Sequence, residues 1–310
     1  GEDLVNCAAS PGGFEHVPDP RRFWTVSAEE RRELWDHLYD QPGFAILAAN
    51  FPDIFFDEEA NQEVSAYIAD RIRQRVDDPA TAEKLIPKDH GFGMQRLPLE
   101  TRYFEAYNRD NVDLVDITAN PIERMTETGI ETAGQNGAEH HELDIIVYAT
   151  GFNAITGGYD QVEIRGMDGQ TLGDKWRDSP STYLGVFNQG FPNLFMVAGP
   201  QSVSGSTNFP RAIETGVDWL TDFLEHVIEH DITRVEATAE AEADWVDEVV
   251  RAHERMLFRR SKGWFTGYNA NVAGHEEGKI RYQAYFGGAP RYSEVIEQVA
   301  ADGYQQLDLA

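Results

Sequence analysis

Residues 143–152 read Leu-Asp-Ile-Ile-Val-Tyr-Ala-Thr-Gly-Phe, and this stretch decides the fold class. Its first six residues, 143–148, form an almost continuous apolar run, which is typical of a fully buried β-strand. The run closes on Ala149-Thr-Gly-Phe152, where the glycine permits a sharp turn. In open α/β sheets, ligands bind at the carboxyl ends of the strands. The stretch therefore predicts an α/β protein with a ligand site just after residue 148.

A second stretch repeats this arrangement further along the chain. Residues 193–197 predict another strand, which ends at Ala198-Gly-Pro-Gln-Ser202 and leads through small polar residues into a helix at about 212–229. Three shorter β-like runs precede both stretches, at 112–115, 122–125 and 129–132. Two strand ends followed by loops of similar character indicate a cofactor site.

Helical patterns flank the predicted strands. Ser27-Ala-Glu-Glu30 is a capping-box sequence, which predicts the start of a helix that stops at Pro42-Gly43. A second helix is predicted at about 57–76, ended by Asp77-Asp78-Pro79. Residues 261–290 lack periodicity and are predicted to form loops or short strands. Two further helices are predicted at about 239–259 and 292–301.

The composition excludes several classes of partner. The 310 residues include 54 Asp and Glu against 26 Lys and Arg, so a net charge of −28 repels nucleic acid and anionic membranes. Hydrophobic residues make up 41% of the chain, which is enough for a sizeable core. The apolar stretch at 44–51 is far shorter than the ~20 residues of a membrane span. The single cysteine, Cys7, cannot form an internal disulfide, so we expect a cytoplasmic protein.

The cations are skewed toward arginine, because only five of the 26 are lysines. Many carboxylates with few lysines are typical of proteins from a salt-saturated cytoplasm, where a dense negative surface keeps the chain solvated. An acidic protein from an ordinary cytoplasm is the alternative. We interpret the composition as halophilic.

Motifs of self-contained nucleotide and metal sites are absent from the sequence. It contains no G-x-G-x-x-G, no G-x-x-x-x-G-K-[ST], no H-E-x-x-H and no paired C-x-x-C. Gly199-Pro-Gln-Ser202 follows a predicted strand as a nucleophile elbow would, but it lacks the G-x-S-x-G spacing, so a serine hydrolase is a minor alternative. Adjacent side chains in His140-His141-Glu142 point apart in a strand, and we predict no metal site there.

Several sequence phrases occur in a fixed order and carry a family resemblance. They are Arg96-Leu-Pro with Tyr103 to Val112, Pro121 to Gly129, Asp144 to Phe152, and Trp176 to Ser202. Together they resemble the carboxyl-terminal half or more of a flavin-containing monooxygenase, most closely the Baeyer–Villiger, cyclohexanone monooxygenase-like branch. The resemblance extends from about residue 20 to residue 304.

The resemblance implies an α/β flavoprotein with two dinucleotide-binding domains, represented by their later segments only, with a helical insertion. The resemblance assigns residues 1–17 to a loop at the edge of an incomplete NADP domain, and residues 18–90 to the helical insertion. After the insertion the chain would return to the two domains that it left. Residues 91–148 are assigned to the later part of the NADP-binding domain, and residues 149–310 to the later part of the FAD-binding domain. The glycine fingerprints of both domains would belong to an absent amino-terminal half, which we expect upstream of Gly1 or on a separate partner chain.

The implied cofactors are FAD and NADPH, and Gln95 leaves NADH open because it stands where relatives usually have lysine. In the implied reaction NADPH reduces FAD, and a flavin peroxide then inserts oxygen beside a ketone to give an ester or lactone. Oxygenation of nitrogen or sulfur is the enzymatic alternative. A non-catalytic fragment or split-gene subunit is the alternative of another class, and we expect the isolated chain to be inactive.

The resemblance also assigns site residues. Arg96 matches the family's active-site arginine, a fixed cation that would stabilise developing negative charge; an arginine paired with one of the many carboxylates is the alternative. Trp264 matches a tryptophan that packs against the nicotinamide cofactor, or is an ordinary packed aromatic residue. The other implied cofactor contacts are Gln95, Thr150, Gly151, Phe152, Gly199, Pro200, Gln201 and Ser202, and the implied substrate-pocket residues are Asn208 and Phe209.

We expect the melting temperature to rise between low salt and molar KCl, because salt screens the repulsion among surface carboxylates. Thermal unfolding at both KCl concentrations measures this effect, with an acidic protein of ordinary lysine content as the control. A melting temperature that stays flat or falls with KCl would reject the halophilic interpretation.

Overall fold

The computed structural model describes Cys7 and residues 10–134, 137–275 and 278–310. The chain divides into two compact units. Unit 1 comprises residues 1–62, 92–97 and 153–310, and unit 2 comprises residues 63–91 and 98–152. Each unit has a hydrophobic cluster of its own. The domain boundaries implied by the family resemblance stay a prediction.

Helices and strands both occur among the described residues. The helices longer than one turn are α1 (Ala28–Tyr39), α2 (Glu58–Arg75), α3 (Pro79–Leu85), α4 (Phe209–Glu229), α5 (Ala239–Glu254) and α6 (Ala289–Ala301). The strands are β1 (Ile122–Thr126), β2 (Gly129–Gly134), β3 (Gly137–Glu142), β4 (Val235–Ala237) and β5 (Leu307–Leu309). Single-turn helices lie at Ala45–Ala48, Tyr103–Ala106 and Leu172–Lys175. No helix in the described ranges combines the length and apolar character needed to cross a bilayer.

The predicted helices are confirmed, with shifts at their ends. The side chain of Ser27 accepts a hydrogen bond from the backbone N–H of Glu30, whose carboxylate accepts from the N–H of Ser27, so the capping box starts α1. The helix predicted at 239–259 ends at Glu254, and a 3₁₀ turn follows at Leu257–Arg260. α4 begins earlier than predicted, with Pro210 in its first turn, where a missing N–H costs nothing.

The core of unit 1 forms among α4, α5 and α6. The buried side chains of each helix recur three or four residues apart, which places them on one face. Ala241, Trp245 and Val249 in α5 follow this spacing. In α4, the rings of Trp219 and Phe223 stack with their planes 7° apart. The antiparallel pair β4–β5 closes this cluster through buried residues of both strands.

Unit 2 contains an antiparallel three-stranded sheet in the order β1–β2–β3. β1 and β2 confirm the strands predicted at 122–125 and 129–132, whereas β3 was not predicted. Arg75, the last residue of α2, holds the segment at residues 100–105. Its guanidinium donates to Glu105 at 2.6 Å and to Glu100 at 2.8 Å. The Arg75 guanidinium lowers the pKa of Glu105 to about 2.

The predicted burial of the strand at 143–148 is wrong for the part of the chain that the structure describes. Ile145, Val147 and Tyr148 are 80%, 83% and 68% exposed. No strand is assigned to this segment, and no backbone hydrogen bond among described residues involves residues 144–150. A strand that is apolar on both faces needs strands beside it and cover on each face, and the described part of unit 2 supplies neither.

Two other predicted strands, at 112–115 and 193–197, are also not strands. The first is irregular. In the second, the N–H of Asn193 donates to the carbonyl of Val235 and the N–H of Met196 to that of Val186, both at 2.9 Å. Residues 193–197 therefore make isolated hydrogen bonds instead of regular strand pairing, because no strand among the described residues pairs with them.

A buried ion pair ties the irregular chain before residue 190 to α5. Lys175 Nζ lies 2.8 Å from Glu242 Oε2, which also accepts from the backbone N–H of Gln189 at 2.7 Å. Burial lowers the pKa of Lys175, and the nearby Glu242 carboxylate opposes this effect. The hydroxyl of Ser181 also donates to Glu242, so this one carboxylate holds Lys175, Ser181 and Gln189 together.

Gln201 is fully buried and holds the loop at 199–202 in place. Its Oε1 accepts from the N–H and the hydroxyl of Thr182, and its Nε2 donates to the carbonyl of Pro180. Its own backbone bonds to Gln283 and Trp245. The φ angle of Gln201 is +66°, a left-handed conformation that is costly for a residue with a Cβ. Five hydrogen bonds therefore sustain a strained backbone.

His253, at the end of α5, is also fully buried. The edges of Tyr282 and Phe286 enclose its ring, with centroids 5.2 and 5.5 Å away. Neither ring nitrogen has a hydrogen-bond partner among the described residues. Burial lowers the pKa of His253 below its ordinary value of 6.5.

We expect Gln201→Gly to be less destabilising than Gln201→Ala. Both variants lose the side-chain hydrogen bonds, but glycine relieves the left-handed strain. After the extra unfolded-state entropy of glycine, the difference should be about 0.5–1 kcal/mol. Urea unfolding measures it. The control is Gln298 inside α6, where alanine should instead be the more stable replacement; the same order at both positions would contradict this account.

We expect the free energy of unfolding to fall as the pH drops below about 6.5, because the unfolded chain binds a proton at His253 that the folded chain resists. The loss continues down to the lowered folded pKa. His253→Leu should flatten this slope between pH 7 and 5.5, whereas the exposed His230→Gln should retain it. Equal slopes for wild type and His253→Leu, from urea unfolding across this pH range, would contradict the assignment.

Candidate active site

An apolar cavity of about 390 Å³ lies within unit 1. Its walls come from segments 10–18, 44–56, 93–97 and 256–288, together with Ser206. The aromatic residues lining it are Phe14, Phe44, Phe55, Phe56, Phe258, Phe265 and Phe286. Concave, largely apolar pockets with a few polar groups are the usual form of a small-molecule site.

Arg96 lines this cavity and supplies its cation. Its guanidinium carbon lies 4.7 Å from the centroid of the Phe44 ring, a cation–π contact that orients the group. No ion pair joins Arg96 to a carboxylate within the described ranges. The alternative interpretation of Arg96 as one half of a surface ion pair is therefore not observed in this part of the chain. A positive charge beside an apolar cavity is available to a ligand.

Gln95 precedes Arg96 in the chain, and a hydrogen bond joins Gln95 to the segment that contains Trp264. Gln95 lines the cavity, and its Nε2 donates to the carbonyl of Lys262 at 2.8 Å. Trp264, two residues later, is partly exposed and packs its ring 4.3 Å from that of Phe265. Arg96 and Gln95 therefore both line the cavity, whereas Trp264 is not among its lining residues.

The predicted loop Gly199, Pro200, Gln201 and Ser202 belongs to the same unit. A Cβ on Gly185 would lie 2.5 Å from the backbone nitrogen of Ser202, so the loop packs against a position that only glycine can fill. Ser202 is buried, and its hydroxyl donates to the carbonyl of Gly199 and bonds to Ser204. A serine held in this way is not an activated nucleophile, which argues against a serine hydrolase.

The loop continues through a 3₁₀ turn at Val203–Ser206 into α4. Ser206 lines the cavity, so this turn connects the loop with the cavity wall. Asn208, at the start of α4, makes no side-chain capping bond. The positive end of a 21-residue helix with uncapped amides favours a hydrogen-bond acceptor or an anion.

The remaining predicted residues lie elsewhere. Thr150, Gly151 and Phe152 belong to unit 2; Thr150 is exposed, and Gly151 has a φ of +84° with open space around its Cβ position. Asn208 and Phe209 do not line the cavity, and Phe209 is 49% exposed. The assigned roles of all five residues stay predictions.

Sequence reasoning missed the aromatic walls of the cavity, such as Phe14, Phe44 and Phe286. The 17 phenylalanines in the chain are a compositional signal for aromatic clusters. These three come from distant segments without a shared period, so no local pattern could assign them to one cavity.

No protein-family model matches the chain. Curated relatives do. The chain is 40% identical to 2-oxo-Δ3-4,5,5-trimethylcyclopentenylacetyl-CoA monooxygenase of Pseudomonas putida, over 96% of this chain and 53% of the relative. It is 38% identical to cyclopentanone 1,2-monooxygenase of a Comamonas species, with the same coverage. The chain thus spans about half the length of the curated relatives it matches.

Solved structures agree with these relatives. A structure of OTEMO in complex with FAD and NADP superposes with a TM-score of 0.92 at 38% identity, covering 99% of this chain and 55% of that one. A closed structure of cyclohexanone monooxygenase gives 0.90 at 36% identity, with 99% and 56% covered. The α/β flavoprotein monooxygenase fold is therefore confirmed in part of its length. The chain is homologous to members of the Baeyer–Villiger branch of the flavin-containing monooxygenases. It corresponds to about half of their length.

Proposed function

We propose that this chain forms the substrate side of an FAD- and NAD(P)H-dependent monooxygenase that converts a ketone into an ester or lactone. The observation that carries the proposal is Arg96, whose charge lies unpaired, within the described residues, beside an aromatic-walled cavity. In the Baeyer–Villiger reaction, negative charge develops on oxygen. Arg96 is exposed in this structure, and a fixed cation beside the reacting oxygen would stabilise that charge.

The cavity fits an apolar ketone. Its aromatic walls offer an apolar surface to hydrocarbon, and Arg96 and Gln95 are polar groups that line it. A carbonyl oxygen directed at Arg96 would leave the hydrocarbon part of the ketone against Phe44 and Phe286. Orientation of this kind lowers the barrier because it holds the reacting groups together before reaction.

The residues of unit 1 suit the implied cofactors. The uncapped amides at the start of α4 would donate hydrogen bonds to carbonyl oxygens of the FAD ring system. Trp264 offers a flat, partly exposed face and an N–H donor to a nicotinamide ring. When bound, reduced FAD supplies the activation of molecular oxygen, and NAD(P)H supplies the electrons. Gln95 brings no charge to a 2′-phosphate, which leaves NADH as a reductant.

Activity also requires residues that this chain does not carry. The 310 residues contain no glycine-rich fingerprint for either dinucleotide, and the relatives are about twice as long. The complementary half would lie on the same polypeptide or on a separate one. In a soluble, cytoplasmic setting the two halves together would form the enzyme, while the 310-residue chain alone would neither hold FAD nor oxidise NADPH.

A second candidate function is oxygenation of a nitrogen atom. The chain is 39% identical, over 91% of its length, to phenazine N-monooxygenase PhzNO1 of Lysobacter antibioticus. A flat heteroaromatic substrate would also fit between aromatic walls. Products from a ketone panel and a heteroaromatic amine panel, assayed on the complete enzyme, distinguish the two functions.

In the complete holoenzyme, we expect Arg96→Ala to leave flavin reduction by NADPH intact and to lower oxygenated product by about 100-fold or more, as loss of one preorganised charge-stabilising group does. Anaerobic bleaching of the flavin and product yield measure the two steps. The control is Arg291→Ala, which removes a surface pair with Glu294 and leaves the cavity lining unchanged. Undiminished product from Arg96→Ala would remove Arg96 from the mechanism, and no product from the wild type with any substrate would favour a non-catalytic role.

A further inference from the structure

His253 lies directly behind the wall of the cavity. Its ring is fully buried in the last turn of α5, and its centroid lies 5.5 Å from that of Phe286, which lines the cavity. The ring of Tyr282, 5.2 Å away, packs against the main core of unit 1. His253 itself is not among the lining residues, so a change in its position reaches the cavity through Phe286.

Phe286 is one member of a phenylalanine triad with Phe258 and Phe265. The three ring centroids lie 4.9, 5.1 and 5.3 Å apart, and all three residues line the cavity. The triad belongs to a small cluster with Met94 and Met256, which is distinct from the core of α4, α5 and α6. A small cluster beside a cavity has space to rearrange, whereas a close-packed core does not. A change at His253 can therefore move the triad without unfolding the core.

The surroundings of His253 hold its imidazole without charge. Neither ring nitrogen has a hydrogen-bond partner among the described residues, and burial lowers the pKa of His253. The nearby backbone of Phe265 and the Glu254 carboxylate favour the proton and Arg259 opposes it, but burial has the largest effect. A proton on His253 therefore places a charge in an apolar site.

The charged and titratable groups near His253 already have partners. Glu254 accepts from the Tyr282 hydroxyl at 2.8 Å and from Arg259 at 3.3 Å. These partners lower the pKa of Glu254, so it stays ionised, and burial beside Glu254 raises the pKa of Tyr282 to about 12, so it stays neutral. Of these four groups, His253 is therefore the one that changes charge just below neutral pH.

We propose that His253 is a proton-operated switch for the cavity. Neutral, its ring fills the space behind Phe286 and holds the triad in place. Protonated, the ring turns out toward water at the end of α5, where the helix dipole favours a positive charge, and the triad loses its support. The cavity then no longer holds an apolar ligand. The use of the cavity for a ketone rests on the proposed function, whereas the switch itself does not.

Methionine methyl NMR on the 310-residue chain tests the switch without cofactor or substrate. Met94 and Met256 lie in the cluster of the triad, whereas Met196 lies in another cluster with Trp176. Between pH 7.5 and 5, the ¹³C-methyl signals of Met94 and Met256 should shift or broaden with a common midpoint below pH 6.5, because burial of His253 resists the proton. The Met196 signal should keep its position.

Matched variants assign the transition to His253. His253→Phe should abolish it, because this variant keeps a ring behind Phe286 and carries no titratable group. His253→Leu removes the titratable group with an aliphatic side chain and should give the same result. The control is His230→Phe, at an exposed position, which should keep the wild-type transition.

A transition that persists in both His253 variants would overturn the proposal, and so would wild-type methyl signals that stay unchanged down to pH 5. Movement of the Met196 signal together with those of Met94 and Met256 would indicate unfolding of the whole unit and would also contradict the switch.

The complete holoenzyme separates the switch from the proposed function. With cyclohexanone as the probe, the KM of the wild type should rise about tenfold for each pH unit below the midpoint, because only the neutral form binds the ketone. The KM of His253→Phe should not rise in this way. A methyl transition without a rise in KM would refute the cavity as the ketone site and leave the switch standing.

Discussion

Backbone N–H and C=O groups that leave water must find hydrogen-bond partners, and this requirement separates the satisfied parts of the molecule from the unsatisfied part. In unit 1, α4, α5 and α6 satisfy their own backbones and bury a common core. In unit 2, residues 144–150 combine a core-like sequence with an unpaired backbone. The chain therefore forms local cores, whereas residues 144–150 are exposed and make no backbone hydrogen bond to the described residues.

The chain also carries only some of the groups that the proposed reaction needs. Unit 1 contains the cavity, the cation Arg96 and the part-exposed Trp264, which are groups that bind and orient small molecules. Glycine-rich loops that cradle dinucleotide phosphates are absent from the sequence. The residues present thus suit a substrate and the reacting ends of two cofactors, whereas the phosphates would be held by the other half.

Sequence predicted the features that depend on neighbours along the chain. The capping box at Ser27 and the periodic faces of α4 and α5 are local, and the structure confirms them. The segment 143–148 was predicted to be a buried strand, but it is exposed, because burial depends on neighbouring strands that periodicity cannot count. The aromatic cavity unites distant segments and could not be predicted. Arg96 was singled out by family resemblance alone, and the structure adds its position at the cavity.

Labelled oxygen tests the central claim, that the chain supplies part of a ketone-oxygenating site, most directly. The chain joined to its complementary half is loaded with FAD and NADPH and given a small apolar ketone under ¹⁸O₂. The account predicts an ester or lactone that carries one ¹⁸O atom for each NADPH consumed, with Arg96 required for the product but not for flavin reduction. NADPH oxidation that yields only hydrogen peroxide, or a product without the label, would contradict it.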